Sequence, residues 1–134
     1  MTIVEDNLRR KYSVNPTHTA EEIQLLASRF PENIKLFSAC TYKNNNVVAG
    51  VIVYESKNVA HMQYIAASDE GKKLYSTDFI FNFLINEYYR NKKYFDFGIS
   101  TEKEGRFLNI GLITFKEEFG ARGVVYDTYE WEVK

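Results

Sequence analysis

The chain has 134 residues and a formal net charge of −1, and it is 45% apolar, 26% charged and 16% aromatic. A chain of this size buries about two-thirds of its unfolded surface, so it needs neither disulfides nor a structural metal in order to fold. The single cysteine, Cys40, excludes a disulfide framework and a cysteine-based zinc site, and the near-zero charge argues against a DNA-binding surface.

No metal-ligand motif surrounds the two histidines, so we predict no metal site. Residues 1–20 lack the apolar core of a secretory signal, and the longest apolar runs fall far short of the roughly 20 residues that span a bilayer. These features predict a cytoplasmic protein with no membrane span. No linker or repeat interrupts the chain, which predicts a single domain over residues 1–134.

Two helices are predicted within residues 4–30. Apolar residues at four-residue steps predict a weak amphipathic helix over residues 4–13. Thr19 and Glu22 have the spacing of a capping box, which begins a second helix that ends before Pro31.

Three runs rich in strand-forming residues follow, at 35–42, 47–55 and 59–67, and short polar turns separate them. They predict an antiparallel meander over residues 35–67. Strict alternation in the third strand gives it two faces, one with Ala60, Met62, Tyr64 and Ala66, the other with Val59, His61, Gln63 and Ile65.

The second half of the chain alternates helices and strands over residues 69–133. The predicted elements are a long helix 69–90, a strand 94–98, a helix 107–119 and a strand 124–133. Strands that alternate with helices only in this half predict an α/β (α+β) fold, in which helices flank a mixed and mostly antiparallel sheet.

Several short motifs occur in this framework: AHMQY at 60–64, FDFGISTE at 95–102, LNIGL at 108–112 and KEEFG at 116–120. Together with the element order, they resemble the C-terminal domain of FemAB-like GNAT acyltransferases, from about residue 7 onward. The resemblance implies a GNAT-like fold and transfer of an acyl group, from acetyl-CoA or another acyl-CoA, to an amine of a cell-envelope sugar or peptide precursor. Aminoacyl-tRNA is the alternative donor in this family, but the basic surface expected for tRNA is absent.

The resemblance also implies where an acyl-CoA would bind. Its acyl arm would lie in a wedge between residues 59–67 and 94–98, and its pyrophosphate at the start of the long helix. Ser68, Gly71 and Lys72 are the candidate cofactor-binding residues there, although neighbouring acidic residues oppose a phosphate.

The last helix carries two further candidate cofactor-binding residues by resemblance, Asn109 and Lys116. Phe115 stands where this family often has the tyrosine that protonates the leaving thiolate, and phenylalanine cannot donate a proton.

His61 and Asp96 are the candidate catalytic residues. A histidine's ordinary pKa of about 6.5 lets it accept a proton near neutral pH, which makes His61 a candidate base. Asp96 stands among aromatic residues on a short strand, so its carboxylate needs a polar partner or serves in proton transfer. The structural alternative for His61 is hydrogen bonding within a half-buried sheet.

Three residues are candidates for binding the amine acceptor: Gln63, Tyr64 and His18. Gln63 lies two residues from His61 and could orient a substrate, whereas His18 has the alternative of a loop residue before a helix cap. A different class of function is a non-catalytic GNAT-like module that binds a ligand, forms a homodimer or pairs with a partner GNAT domain.

Overall fold

The computed structural model describes residues 2–4, 6–7 and 16–133. Its backbone contacts divide the chain into two compact units, and the boundary along the chain lies between Gly98 and Ile99. Residues 2–4 and 6–7 are helical, and the remainder of the helix predicted over 4–13 lies outside the described residues.

From residue 16 onward, the N-terminal unit contains one helix, three strands, two shorter helices, a π-helical turn and a fourth strand. In chain order these are α1 (Ala20–Arg29), β1 (Ile34–Cys40), β2 (Val47–Glu55), β3 (Val59–Ala67), α2 (Asp69–Lys73), α3 (Ser76–Phe83), the π turn (Leu84–Tyr88) and β4 (Tyr94–Asp96). The predicted capping box is confirmed: Thr19 accepts from the Glu22 N–H, and the Glu22 carboxylate accepts from the Thr19 N–H at 2.8 Å.

The four strands form one mixed sheet in the order β1-β2-β3-β4. β1 pairs with β2 and β2 with β3 in antiparallel fashion, whereas β4 lies parallel to β3. The predicted meander and the predicted mixed α/β architecture are therefore confirmed, and β2 and β3 have the bounds that the sequence predicted.

A β-bulge in β3 changes which side chains share a face. Ile52 pairs with Tyr64 and the next residue, Val53, pairs with Met62, so Gln63 is an extra residue in the strand. Tyr54, the partner of His61, lies on the same face of β2 as Ile52. His61 and Tyr64 consequently share a face, and the strict alternation predicted for β3 is wrong beyond Met62.

The long helix predicted over 69–90 is divided into α2, α3 and the π turn. Tyr75 interrupts the helix because its backbone is left-handed, with φ of 52°. The π turn then lets the buried Tyr89 point at Glu55 of β2, 3.2 Å from its carboxylate. Neither Tyr75 nor the π turn contains a glycine or a proline, so the local sequence carries no signal for the two interruptions of the helix.

The hydrophobic core lies between the sheet and α3. Its fully buried large side chains come from the sheet and from the helical segment: Val51, Val53, Phe81 and Leu84. Phe81 also packs edge-on against Phe97, with ring centroids 5.0 Å apart. Cross-strand partners share a face, so Tyr54, His61 and Asp96 lie on the opposite face of the sheet.

The C-terminal unit contains a two-stranded hairpin and one helix: β5 (Thr101–Glu102), β6 (Phe107–Leu108) and α4 (Ile110–Glu118). The helix begins later than predicted because Asn109 caps it, accepting from the Leu112 N–H at 3.0 Å. Residues 124–133 form no strand, contrary to the prediction, and their side chains are exposed. An alternating pattern becomes a strand only when a partner strand accepts its backbone hydrogen bonds.

Candidate active site

The parallel pairing of β3 with β4 brings His61 and Asp96 side by side. These two residues are register partners although 35 positions separate them in sequence. They are also the last pair in the ladder, which runs only from Val59 and Tyr94 to this point among the described residues. The pairing between the two strands therefore ends at His61 and Asp96, and the wedge that the resemblance implied beyond this point stays a prediction.

The His61 ring and the Asp96 carboxylate form a short, charge-compatible contact. Nδ1 of His61 lies 2.7 Å from Oδ2 of Asp96, and both side chains are part-exposed. The Nδ1–H donates to this oxygen, which fixes the orientation of the ring and leaves Nε2 as the nitrogen that can gain or lose a proton. The arrangement is that of a general base with an orienting carboxylate.

Gly98 holds the Asp96 carboxylate in place. Its backbone N–H donates to Oδ1 of Asp96 at 2.8 Å, so the two carboxylate oxygens have different partners. Gly98 has a φ of 71°, a conformation that glycine adopts at little cost, and an added Cβ would lie 3.5 Å from Cε1 of His61. The positive φ is therefore what favours glycine here, since a Cβ would make only an ordinary contact with the histidine ring.

Gln63 lies at the second nitrogen of the His61 ring. Its side-chain Oε1 is 3.2 Å from Nε2 of His61. A protonated ring donates to this oxygen, whereas a neutral ring accepts from the amide nitrogen after the amide turns by half a rotation. Gln63 can thus form a hydrogen bond with Nε2 in both protonation states of the ring.

Tyr64 connects the sheet to the segment before α1. Its phenol oxygen accepts from the backbone N–H of His18 at 3.1 Å and lies 2.8 Å from Nδ1 of the same residue. With Nδ1 unprotonated, the phenol donates to it. The bulge at Gln63 places Tyr64 on the His61 face, and His18 joins that face through Tyr64.

Tyr54 is a residue of this face that sequence reasoning missed. It is the β2 partner of His61, and its phenol oxygen is buried without a hydrogen-bond partner among the described residues. Burial, with a smaller contribution from neighbouring Tyr64, raises the pKa of Tyr54. Alternation within β2 puts Tyr54 on the same face as Ile52, but only the register with β3 shows that this face meets His61.

A separate charged cluster lies on the core face of the same sheet. Glu55 accepts from Lys92 at 2.7 Å and from Lys35 and the Tyr89 phenol at 3.2 Å each. Burial alone would raise the pKa of Glu55, but these hydrogen bonds outweigh it, so that the pKa is lowered overall. We assign this cluster to stability, because its members contact one another on the face opposite His61.

The predicted cofactor-binding residues at the start of α2 make hydrogen bonds with one another and with neighbouring side chains. The Ser68 hydroxyl already accepts from the Gly71 N–H at 3.1 Å. Gly71 is required by packing, since an added Cβ would lie 2.2 Å from the Val48 carbonyl oxygen. The Lys72 ammonium lies 3.4 Å from Asp69 and 3.5 Å from the side-chain oxygen of Asn7. The role of Ser68, Gly71 and Lys72 in binding a cofactor stays a prediction. The contacts that they make in the structure stabilise the start of α2.

The two predicted cofactor residues of the C-terminal unit also have structural partners. Asn109 caps α4 and donates from its amide to the Glu102 carboxylate at 2.6 Å. Lys116 is buried and donates to the backbone oxygen of Ile99. These contacts tie α4 to the hairpin strand and to the first residue of its own unit.

Within the described parts of the chain, no group of three or more potential ligand residues is placed to hold a metal ion. No helix among the same residues is long and apolar enough to cross a membrane.

Comparison with known proteins shows the fold. No protein-family model matches the chain, and no curated protein matches it. A solved structure described as a possible acetyltransferase from Clostridium difficile 630 is similar with a TM-score of 0.69 and 14% identity, covering 99% of this chain and 88% of that one. A second, described as a probable acetyltransferase, is similar with a TM-score of 0.65 and 13% identity, at the same two coverages of 99% and 88%.

A third solved structure, an aminoglycoside acetyltransferase from an uncultured soil metagenomic sample, has a TM-score of 0.58 and 16% identity, covering 98% of this chain and 84% of that one. The chain thus has a mixed α/β fold similar to the fold of these acetyltransferases.

Proposed function

We propose that this chain is an N-acyltransferase of the FemAB-like GNAT type, which transfers an acyl group to an amine. The contact between His61 and Asp96 carries the proposal, because it supplies an oriented base where the pairing of β3 with β4 ends. The similarity of the fold to solved acetyltransferases supports the proposal independently.

The base has a defined task in such a reaction. An amine attacks an acyl carbonyl only as the neutral form, and it must lose a proton as the new carbon–nitrogen bond forms. Nε2 of His61 receives that proton, and the Asp96 carboxylate stabilises the imidazolium that results. Gln63 then accepts from the new Nε2–H through its side-chain oxygen, which lies 3.2 Å away.

The acceptor in this proposal is the amine of a cell-envelope sugar or peptide precursor, reached in the cytoplasm by a single-domain enzyme. Gln63 and Tyr64 are the proposed acceptor contacts, and both lie on or beside the His61 face. A homodimer, or pairing with a partner GNAT domain, belongs to the same proposal.

An acyl-CoA is the donor that GNAT-like folds imply. At the start of α2, where its pyrophosphate portion would bind, Ser68 and Gly71 are hydrogen-bonded to each other and the acidic residues Asp69 and Glu70 adjoin them. We therefore assign no step of the reaction to coenzyme A.

A transfer assay tests the proposed function. The purified chain is incubated with a panel of amino sugars and amino-terminal peptides and with acyl thioesters, and amide formation is followed by mass spectrometry. We expect the wild type to form an amide, and His61→Gln and Asp96→Asn to lower kcat by about 100-fold or more, the range of general acid–base catalysis.

Asp78→Asn is the matched control, because it makes the same chemical change on α3, which packs on the opposite face of the sheet. Its kcat should equal that of the wild type. Activity that survives both substitutions at the paired residues would contradict the assigned base.

The second candidate function is a non-catalytic GNAT-like module for ligand binding or for pairing with a partner domain. The poor fit of Ser68, Gly71 and Lys72 to a phosphate favours it. It predicts that calorimetry detects binding of an amine whose mass is unchanged after incubation, or that light scattering gives the mass of a dimer. Turnover of any amine by the wild type would reject this candidate.

A further inference from the structure

Residues 124–133 form an exposed segment that has the pattern of a strand but pairs with none. Over residues 128–133 polar and apolar side chains alternate strictly, with Thr128, Glu130 and Glu132 on one side and Tyr129, Trp131 and Val133 on the other. The three apolar side chains are at least 89% exposed. Apolar side chains grouped in this way on a surface mark an interaction site. An open sheet edge would supply the backbone partners that the segment lacks.

β1 offers an open sheet edge of matching length. It is an outer strand of the four-stranded sheet and has seven residues. Because the Glu55 N–H donates to the Asn33 carbonyl, the alternation of the antiparallel ladder turns the backbone groups of Leu36 and Ser38 away from β2. These outward groups have no partner among the described residues. The other outer strand, β4, has only three residues, which is too few to pair with a strand over residues 128–133.

The core face of the sheet carries a net positive charge at this edge. The Lys35 ammonium lies 3.2 Å from the Glu55 carboxylate, and the Lys92 ammonium lies 2.7 Å from the same carboxylate. Two ammonium groups thus share one carboxylate, which leaves one positive charge uncompensated within this cluster. The exposed segment carries the complementary charge, because residues 124–133 include three acidic residues and no basic one.

The opposite face of β1 supplies the apolar match. Leu36 lies on that face and is 69% exposed. Neighbouring strands place paired side chains on a common face, so a register that sets Trp131 beside Leu36 also sets Glu130 and Glu132 on the Lys35 face. One placement of the segment therefore matches its apolar side, its acidic side and its backbone to β1.

We propose that this chain forms a homodimer in which residues 128–133 of one copy add as a strand to the outer edge of β1 in the other copy. A second copy is the occupant because each chain carries both halves of the contact, the open edge and the unpaired segment. Two such contacts close a twofold-symmetric dimer. This inference rests on the homodimer named in the proposed function, and it is independent of the transfer reaction.

Trp131 is the single tryptophan of the chain, so its fluorescence reports this contact directly. Sedimentation velocity over a range of wild-type concentrations gives the mass, and the emission of the same samples gives the exposure of Trp131. We expect the mass to rise from 15.7 kDa to twice that value, and the emission to shift to shorter wavelength in step as the indole leaves water. The mass of one chain at every concentration would overturn the inference. A dimer whose emission stays that of an exposed indole would overturn it too.

Two substitutions, Leu36→Lys and Glu130→Pro, act on the two halves of the contact. A charge on a sheet edge and a proline in the added strand both oppose pairing, so each should raise the dissociation constant of the dimer by about tenfold or more. Tyr42→Lys is the matched control for Leu36→Lys, because Tyr42 is fully exposed just beyond β1, and it should leave the dissociation constant unchanged.

Circular dichroism checks that each variant folds like the wild type. Should Leu36→Lys fail to fold, Glu130→Pro decides alone, because Glu130 lies outside every helix and strand of the described chain. Folded variants that dimerise as tightly as the wild type would overturn the inference.

The transfer assay separates this inference from the proposed reaction. A monomeric chain that forms an amide would overturn the strand exchange and leave the transfer reaction intact. A chain that dimerises as expected and forms no amide would support the strand exchange and contradict the transfer reaction.

Discussion

Replacing Gly71 by alanine separates a packing role from a ligand-binding role at this position. The new Cβ would lie 2.2 Å from the Val48 carbonyl oxygen and 2.9 Å from its carbon, distances that no folded chain sustains. Helix α2 or strand β2 must therefore move by most of an ångström. That movement also weakens the hydrogen bond from the Ser68 N–H to Val48, now 2.8 Å.

The expected magnitude combines three terms. Overpacking costs about 1–3 kcal/mol, and a weakened hydrogen bond costs about 1 kcal/mol. The higher helix propensity of alanine relative to glycine offsets this loss by about 1 kcal/mol. We therefore expect Gly71→Ala to lower the free energy of unfolding by about 1–3 kcal/mol.

Urea unfolding followed by circular dichroism measures this change, with the slope of the transition unchanged. Gly111→Ala is the control, because it makes the same substitution in α4 where the nearest atom to the new Cβ is 3.7 Å away. It should be neutral or stabilise by up to about 1 kcal/mol. A Gly71→Ala variant within about 0.5 kcal/mol of the wild type would refute the packing explanation.

Three further substitutions probe buried groups of the N-terminal unit by the same unfolding measurement. Tyr54→Phe removes a buried hydroxyl that has no hydrogen-bond partner among the described residues, so the free energy of unfolding should rise by about 1 kcal/mol. A fall of more than about 1 kcal/mol would show that the hydroxyl does have a partner. Glu55→Gln should cost about 1–3 kcal/mol at pH 7, since it leaves Lys92 without its carboxylate. Because the pKa of Glu55 is lowered on folding, the stabilisation is present above the ordinary value of 4.5 and is lost as the pH falls through the lowered pKa. The gap between variant and wild type should therefore narrow as the pH falls below 4.5, and a gap that stays constant over the acid range would contradict the assignment. Phe81→Ala should lower the free energy of unfolding by about 3–5 kcal/mol because the ring is fully buried. Phe79 is 70% exposed on the same helix, so Phe79→Ala is the control and should lower it by under about 1 kcal/mol. Equal losses would mean that the core does not lie where the structure places it.

Local patterns predicted the elements whose signals lie within a few residues of one another. The capping box of Thr19 and Glu22 began α1 where expected, and the bounds of β2 and β3 were predicted correctly. In each case the deciding physics, a reciprocal cap or a turn between strand formers, is contained in the local sequence.

Other features depend on contacts that the local sequence does not contain. The break at Tyr75 places a non-glycine residue at a φ of 52° with no local signal. The predicted strand 124–133 did not form, although its pattern alternates. Local propensity permits a continuous helix through Tyr75 and a strand over residues 124–133. Whether either forms depends on contacts with segments distant in sequence.

The sequence by itself determined the candidate chemistry: one histidine and one aspartate on predicted strands, with a glutamine nearby. Only the tertiary structure decided that His61 and Asp96 meet at 2.7 Å, and that a bulge at Gln63 brings Tyr64 onto the same face. The physical reason is that strand register is set between segments distant in sequence. A shift of one residue would move every side chain to the other face of the sheet.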